Sequence, residues 1–269
     1  MRSAEVSEVL EEAAAAVASA LDRTSDWGLA GTRPGQYRSD LAADSAALEV
    51  LHRAGLRVLS EESGLTTPGA LERPLHGADG ALAVVDPLDG STNASRGIPW
   101  YATSLCVLDD EGPLASLVVN LASGVRYSAA RGEGARRDGE PIATSGCADT
   151  ARSVVGISGF PRRYLGWKQF RALGAVSLDM CAVADGTLDG YVDFGRSAHG
   201  SWDYLGGMLV CSEAGGTVLD ALGRPLVVRT HEERRTPVAG ATAELAGALA
   251  AGRRALEDPS GPAGSAPVA

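Results

Sequence analysis

The stretch VVDPLDGSTN, from Val84 to Asn93, sets two carboxylates three residues apart with a proline between them, then a glycine, two hydroxyls and an amide. The run ALAVVD before it reads as a buried strand, so Asp86 stands at a strand's carboxyl end, where ligands bind in sheets covered by helices. Pro87 is expected to stop the hydrogen-bond ladder, so that Asp89 approaches the same point as Asp86 and the Leu88 carbonyl turns inward. Gly90 removes bulk, and Ser91, Thr92 and Asn93 are helix-start residues whose free N–H groups and hydroxyls suit a phosphate. Asp-Pro or Asp-Gly alone is ordinary surface-turn chemistry. All eight residues of DPLDGSTN directly after a buried strand instead offer oxygen ligands for a hard cation beside an anion cradle. The alternating ligand pattern of an EF-hand is absent.

A second acidic pair, Glu61 and Glu62 in VLSEESG, ends another apolar run. If the two acidic segments converge, their carboxylates repel unless cations neutralise them, and Mg²⁺ fits because it prefers oxygen ligands and keeps waters. Asp203, in GSWDYLGGMLVCSEAGG, opens a helix and is either its N-cap or a third carboxylate anchored by Trp202. The histidines His52, His76, His199 and His231 have no metal-ligand spacing and read as structural or exposed. With no G-x-S-x-G elbow, Walker loop or post-strand G-x-G-x-x-G, the chemistry rests on carboxylates, hydroxyls and the cation they hold.

The elements that must position these groups follow from periodicity. Val6, Val9, Leu10, Ala13 and Val17 recur at helical intervals, and RSDLAADSAALEVLHRAG forms a second helix with Leu41, Asp44, Leu48 and Leu51 on one face. Asp44 therefore interrupts an apolar stripe, where an unpaired carboxylate is costly. The runs LRVLS, ALAVVD, TSLCVLD, PLASLVVNL and VRYSAA are strands, the last three joined by the turns DEG and ASG into an antiparallel sheet. The second half reads as a strand SVVGISG, a helical PRRYLGWKQFRAL, the segment SLDMCAVADG and a strand LDGYVDFG. The helix DYLGGMLVCSEAGG, a strand pair around LGR and a last helix from Ala243 to about Arg253 follow. The pattern predicts α+β or α/β layers in two lobes dividing near residues 145 to 155: an N-terminal lobe 1–150, a C-terminal lobe 151–255, and a disordered tail 256–269 rich in Pro, Gly, Ser and Ala.

Composition bounds the partners. The net charge is −10, and the basic residues are scattered, which excludes the cationic stripe a nucleic acid needs. Cys106, Cys147, Cys181 and Cys211 form no CxxC pair and read as reduced, packed thiols of an intracellular protein. Acidic residues stand where a signal peptide would be basic, and no stretch reaches membrane-spanning length, so a soluble cytoplasmic protein with no membrane partner is expected.

DPLDGSTN, with SEESG upstream and SWDYLGGMLVCSEAGG downstream, resembles the lithium-sensitive, magnesium-dependent phosphatase superfamily of inositol monophosphatase. The resemblance runs from about Leu41 to about Gly240, and RALGAVSLDMCAVADGTLDGYVDFG is similar to the family's segment before the last motif. It implies a five-layer α/β/α/β/α sandwich, often a homodimer. The implied activity is a Mg²⁺-dependent phosphoric monoester hydrolase on a small phosphorylated substrate, inositol monophosphate first. Fructose 1,6-bisphosphate, a 3′-phosphoadenosine-type nucleotide and histidinol phosphate are alternatives for the same chemistry. Residue by residue, it implies one metal site of Glu61, Asp86 and the Leu88 carbonyl, a second of Asp86, Asp89 and Asp203, and a phosphate turn of Gly90, Ser91 and Thr92. Glu61 and Ser91 would activate water, Asp44 would stand behind the metals, and Ala175, Asp193 and Asp203 would join Gly90 to Thr92 in contacting substrate. Three departures bear on substrate: Arg196 replaces a glutamate common seven residues before Asp203, the loop YVDFGRSAHGSWD is about three residues longer than expected, and Val84 and Val85 stand where a tryptophan is usual. A non-catalytic metal- or phosphate-binding regulatory protein on the same fold would be expected to have lost a ligand, and every ligand position here holds an oxygen donor.

Overall fold

The computed structural model describes residues 2–31, 35–69, 77–78, 80–195 and 199–256. Arg196, His76 and the expected tail from residue 257 onward lie outside them. The chain opens with two helices, α1 (Ser3–Asp22) and α2 (Arg38–Arg53), which bury Val6, Leu10, Ala13, Val17 and Leu21 on one and Ala43, Ala47, Val50 and Leu51 on the other. The stripe on α2 is rotated from the sequence expectation. Leu41 is exposed, while Asp40 and Asp44 are buried with hydrogen-bond partners, so the helix turns these two carboxylates inward in its place.

Eight strands follow in one sheet: β1 (Arg57–Ser60), β2 (Gly64–Thr66), β3 (Leu82–Asp89), β4 (Ala102–Asp109), β5 (Gly112–Asn120), β6 (Arg126–Ala130), β7 (Gly134–Arg137) and β8 (Glu140–Pro141). Their order is β2-β1-β3-β4-β5-β6-β7-β8. Only β1 and β3 run parallel; every other neighbouring pair is antiparallel. Pro87 does not end β3. The pairing steps from Asp86–Ser104 to Asp89–Ala102, so β3 carries one extra residue in a bulge, and a bulge tolerates a proline because the ladder is already interrupted there. The short helix α3 (Ser91–Ser95) follows directly.

The second sheet has the order β10-β9-β11-β13-β12, from β9 (Val154–Ser158), β10 (Gln169–Arg171), β11 (Gly190–Asp193), β12 (Thr217–Asp220) and β13 (Pro237–Gly240). Three helices accompany it: α4 (Val176–Ala184), α5 (Ser201–Glu213) and α6 (Ala243–Ala255). The helix expected over PRRYLGWKQFRAL is absent. Gly166, at φ +94°, breaks it, and Trp167 is buried against the rings of Tyr164, Phe170 and Phe194, leaving β10 as an edge strand. The strand pair around LGR reduces to β12 alone, because β12 takes β13 as its partner and residues 221–236 become a long connection.

Alternation on β3 shows how the layers are held. Ala83 and Val85 face the cluster under α1 and α2, whereas Leu82 and Val84 face the cluster that includes α4 and α5. The α4–α5 pair packs between the two sheets, and α6 closes the far side of the second by setting Leu245 and Leu249 against Val155, Ile157 and Val192. The architecture is therefore a layered α/β/α/β/α sandwich. Each fully buried Leu or Val in it contributes about 1.5–3 kcal/mol of transfer free energy. Close approach in the middle layer depends on α5: a Cβ on Gly206 would lie 2.5 Å from Ser104 Oγ, and one on Gly207 would lie 2.6 Å from the Ser177 carbonyl oxygen.

Candidate active site

The parallel register of β1 and β3 sets Ser60 beside Val85, so Glu61 and Asp86 emerge level at the same sheet edge. Asp203 arrives from the first turn of α5 in the middle layer. One carboxylate oxygen from each of Glu61, Asp86 and Asp203 lies within 4.8 Å of the other two. Burial pushes Asp86 well above the usual carboxylate range, and Glu61, Asp89 and Asp203 add repulsion, while the Leu88 N–H donates to Asp86 Oδ1 at 3.0 Å. Glu61 is pushed up to about 8 by burial, then by Asp203 and Glu62. Crowded, buried and all-oxygen, these donors fit a hard divalent cation, whose charge removes the repulsion that otherwise holds protons on them.

Asp89 stands beside this cluster and not within it. Its Oδ2 accepts from the Ser177 N–H at 2.8 Å and the Ser177 hydroxyl at 2.5 Å, at the start of α4. Burial raises Asp89 to about 7, with the Ser177 bonds opposing. Leu88 is buried between the two aspartates. Gly90 follows at φ +85°, where a Cβ would meet the Trp100 carbonyl at 3.0 Å and the Ala175 Cβ at 3.2 Å, so the turn accepts only glycine and Ala175 is packed against it. Ser91 and Thr92 begin α3, and Thr92 Oγ1 lies 3.4 Å from the Tyr37 hydroxyl. Asn93 pins the turn by donating to the carbonyls of Trp100 and Leu173, each at 2.8 Å. Asp44 accepts from the hydroxyls of Ser60 and Ser63, bracing the strand end that carries Glu61.

Asp193 ends β11 with no exposed surface. Its Oδ1 accepts from Gly195 N–H at 2.7 Å and lies 3.5 Å from His199 Nε2, while His199 Nδ1 lies 3.2 Å from Asp203 Oδ2. Asp193 thus reaches the cluster through His199 instead of facing the open cavity. Burial works against a charged ring at His199, yet its bonds to Asp193 and Asp203 lift it to about 10. From the sequence His199 reads as structural or exposed, and the one signal of its place here is the four-residue spacing from Asp203.

A pocket of about 380 Å³ opens beside the cluster, with Gln36, Glu61, Ser91, Trp202, His231 and Arg234 in its wall. Trp202 stacks on His231 at 4.6 Å between ring centroids, and the Arg234 guanidinium lies 4.9 Å from the Trp202 ring. His231 and Arg234 carry no sequence signal, because a long connection brings them in from far along the chain.

Residues 4–257 match the model of the inositol monophosphatase family. The chain belongs to the inositol monophosphatase family. Members of this family are phosphatases, and the protein is accordingly a phosphoric monoester hydrolase. A fructose-1,6-bisphosphatase/inositol-1-monophosphatase of Archaeoglobus fulgidus is 31% identical over 210 residues, covering 76% of this chain and 78% of its own. An inositol-1-monophosphatase of Mycolicibacterium smegmatis is 32% identical over 201 residues, covering 66% and 70%. In fold, the chain is similar to a Pyrococcus horikoshii protein described as having similarities to inositol-1 monophosphatase: TM-score 0.75, 22% identity, 92% of this chain and 96% of that one. Among the described residues no helix is long and apolar enough to cross a membrane.

Proposed function

We propose that this phosphatase is Mg²⁺-dependent and hydrolyses a small hydroxylated phosphate monoester, inositol monophosphate first, by attack of an activated water. The observation that carries the reading is the convergence of Glu61, Asp86 and Asp203, with Glu61 in the wall of a cavity that Ser91 also lines. Glu61, Asp86 and the Leu88 carbonyl would hold one cation, and Asp86, Asp89 and Asp203 a second. Such cations, when bound, lower the pKa of a water and offset charge on the phosphoryl oxygens. Glu61 and Ser91 orient the attacking water and take its proton, while the backbone and hydroxyls of Gly90, Ser91 and Thr92 hold the phosphate. Ala175 borders the substrate beside Gly90, Asp44 keeps the strand end rigid, and Asp193 acts on Asp203 through His199. A phosphate monoester hydrolyses so slowly in water that the site must lower the barrier by on the order of 20 kcal/mol. The names of the Archaeoglobus and Mycolicibacterium relatives support a sugar or cyclitol phosphate as substrate.

The test is inorganic phosphate release from inositol monophosphate, fructose 1,6-bisphosphate, a 3′-phosphoadenosine nucleotide and histidinol phosphate, with Mg²⁺ and then with added Li⁺. Mg²⁺ should be required and Li⁺ inhibitory. Asp86→Asn should abolish release while the circular dichroism spectrum is retained. No release from any ester by protein that binds Mg²⁺ would replace this reading with that of a non-catalytic binding protein. Light scattering tests the homodimer.

A further inference from the structure

Antiparallel neighbours such as β12 and β13 can be joined by two residues, yet here the connection runs over residues 221–236. Irregular connections of that length are uncommon in compact folds and usually serve function. This one is fixed at its base. The Asp220 carboxylate accepts from the backbone N–H groups of Leu222, Arg224 and Thr236 and from the Arg224 side chain. Buried Arg235 donates to the Pro225 and Arg234 carbonyls and to Glu233, and its backbone bridges to His199.

From that base the loop reaches the candidate active site. His231 Nε2 lies 3.2 Å from the Glu61 carbonyl oxygen and its ring stacks on Trp202. Arg234 lies over Trp202, and its Nη1 donates to the carbonyls of His231 and Glu233. Among the described residues no carboxylate pairs with Arg234, and it is the only Lys or Arg in the pocket wall, which otherwise carries Asp40, Glu61 and Glu62. A guanidinium held by carbonyls over an aromatic face is set up to bind an anion in two-point fashion.

We infer that Arg234 binds a second phosphoryl group on the substrate. The site then favours an ester whose leaving group carries a distal phosphate over the corresponding plain monoester. This rests on the phosphatase reading above and adds to it the class of leaving group. If Arg234 instead gripped the phosphate being released, every ester would depend on it equally.

Fructose 1,6-bisphosphate and fructose 1-phosphate share one ester and differ in the distal phosphate, so the ratio of their kcat/KM values isolates the effect. Arg234→Gln should lower that ratio by about tenfold, and Arg234→Lys by less, because lysine keeps the charge without the fork. An unchanged ratio, or an equal fall on both esters, overturns the inference. A second arm is independent of turnover: calorimetric binding, with Mg²⁺ present, of an alkyl bisphosphonate against the matching monophosphonate, whose C–P bonds are not hydrolysed. The wild-type protein should prefer the bisphosphonate and Arg234→Gln should lose the preference; no preference in the wild-type overturns the inference. Failure of these two esters alone leaves the phosphatase reading to the full panel above, and the binding arm then decides the role of Arg234; failure of every ester in that panel would sink the phosphatase reading.

Discussion

Glu61, Asp86 and Asp203 reach one point, and burial followed by repulsion from neighbouring carboxylates raises Glu61 and Asp86. The shift has a measurable sign. Glu61 moves from an ordinary 4.5 to about 8 in the fold, through burial first and then Asp203 and Glu62. A carboxyl raised in the folded state contributes stability below its unfolded value and loses it as pH climbs through the folded one. The metal-free protein should therefore lose stability between about pH 5 and about pH 8, and a cation has fewer protons to displace as the pH rises. The rise in Tm on adding Mg²⁺, read by scanning calorimetry, should be larger at about pH 8 than at about pH 5. Equal increments at both would refute this. The three carboxylates were legible in the sequence because each ends an apolar run or opens a helix. Ser177 and Arg234 were not, because what they touch lies 88 and tens of residues away, and His199 offered only its four-residue spacing from Asp203.

At the scale of elements, the hairpin strands β4 to β6 were legible from alternating apolar runs closed by short turns, and α1 from its repeat. The segment around Trp167 was not, since Tyr164, Trp167 and Phe170 recur at the three-residue spacing of a helix, and only the contact to Phe194 is distant in sequence. The close seam between α4 and α5 was equally hidden, because glycines inside a helix look like defects until the neighbour is seen. Gly207→Ala gains about 1 kcal/mol of helix propensity and loses about 1–3 kcal/mol to overpacking, so net destabilisation is expected. A Cβ there would also lie 2.8 Å from the Met180 Cβ, leaving little room to relax. Because the carbonyl it presses belongs to Ser177, which holds Asp89, the variant should also need more Mg²⁺ for half-maximal activity. Chemical denaturation and a Mg²⁺ titration check the two effects; a stabilised variant would contradict the close contact.

Across the whole molecule, the helices between the sheets are shared property: the same two elements cover the inner face of one sheet and of the other. The site inherits this, drawing Glu61 and Asp86 from the first sheet and Asp203 from the middle layer. The arrangement also sorts the thiols. Cys106 on β4, Cys181 on α4 and Cys211 on α5 are all buried at this layer, and burial raises each far above a reactive thiol, Cys106 and Cys211 to about 12. Cys147 lies outside it and is partly exposed. A thiol reagent should therefore label one cysteine at once and the other three together, only when the sheets part from the helices between them. Staggered labelling of the three would mean that the layer opens piecemeal. The slow phase is a clock for separation of the two sheets, and Mg²⁺ at the proposed site, which would tie strand ends to α5, should slow it.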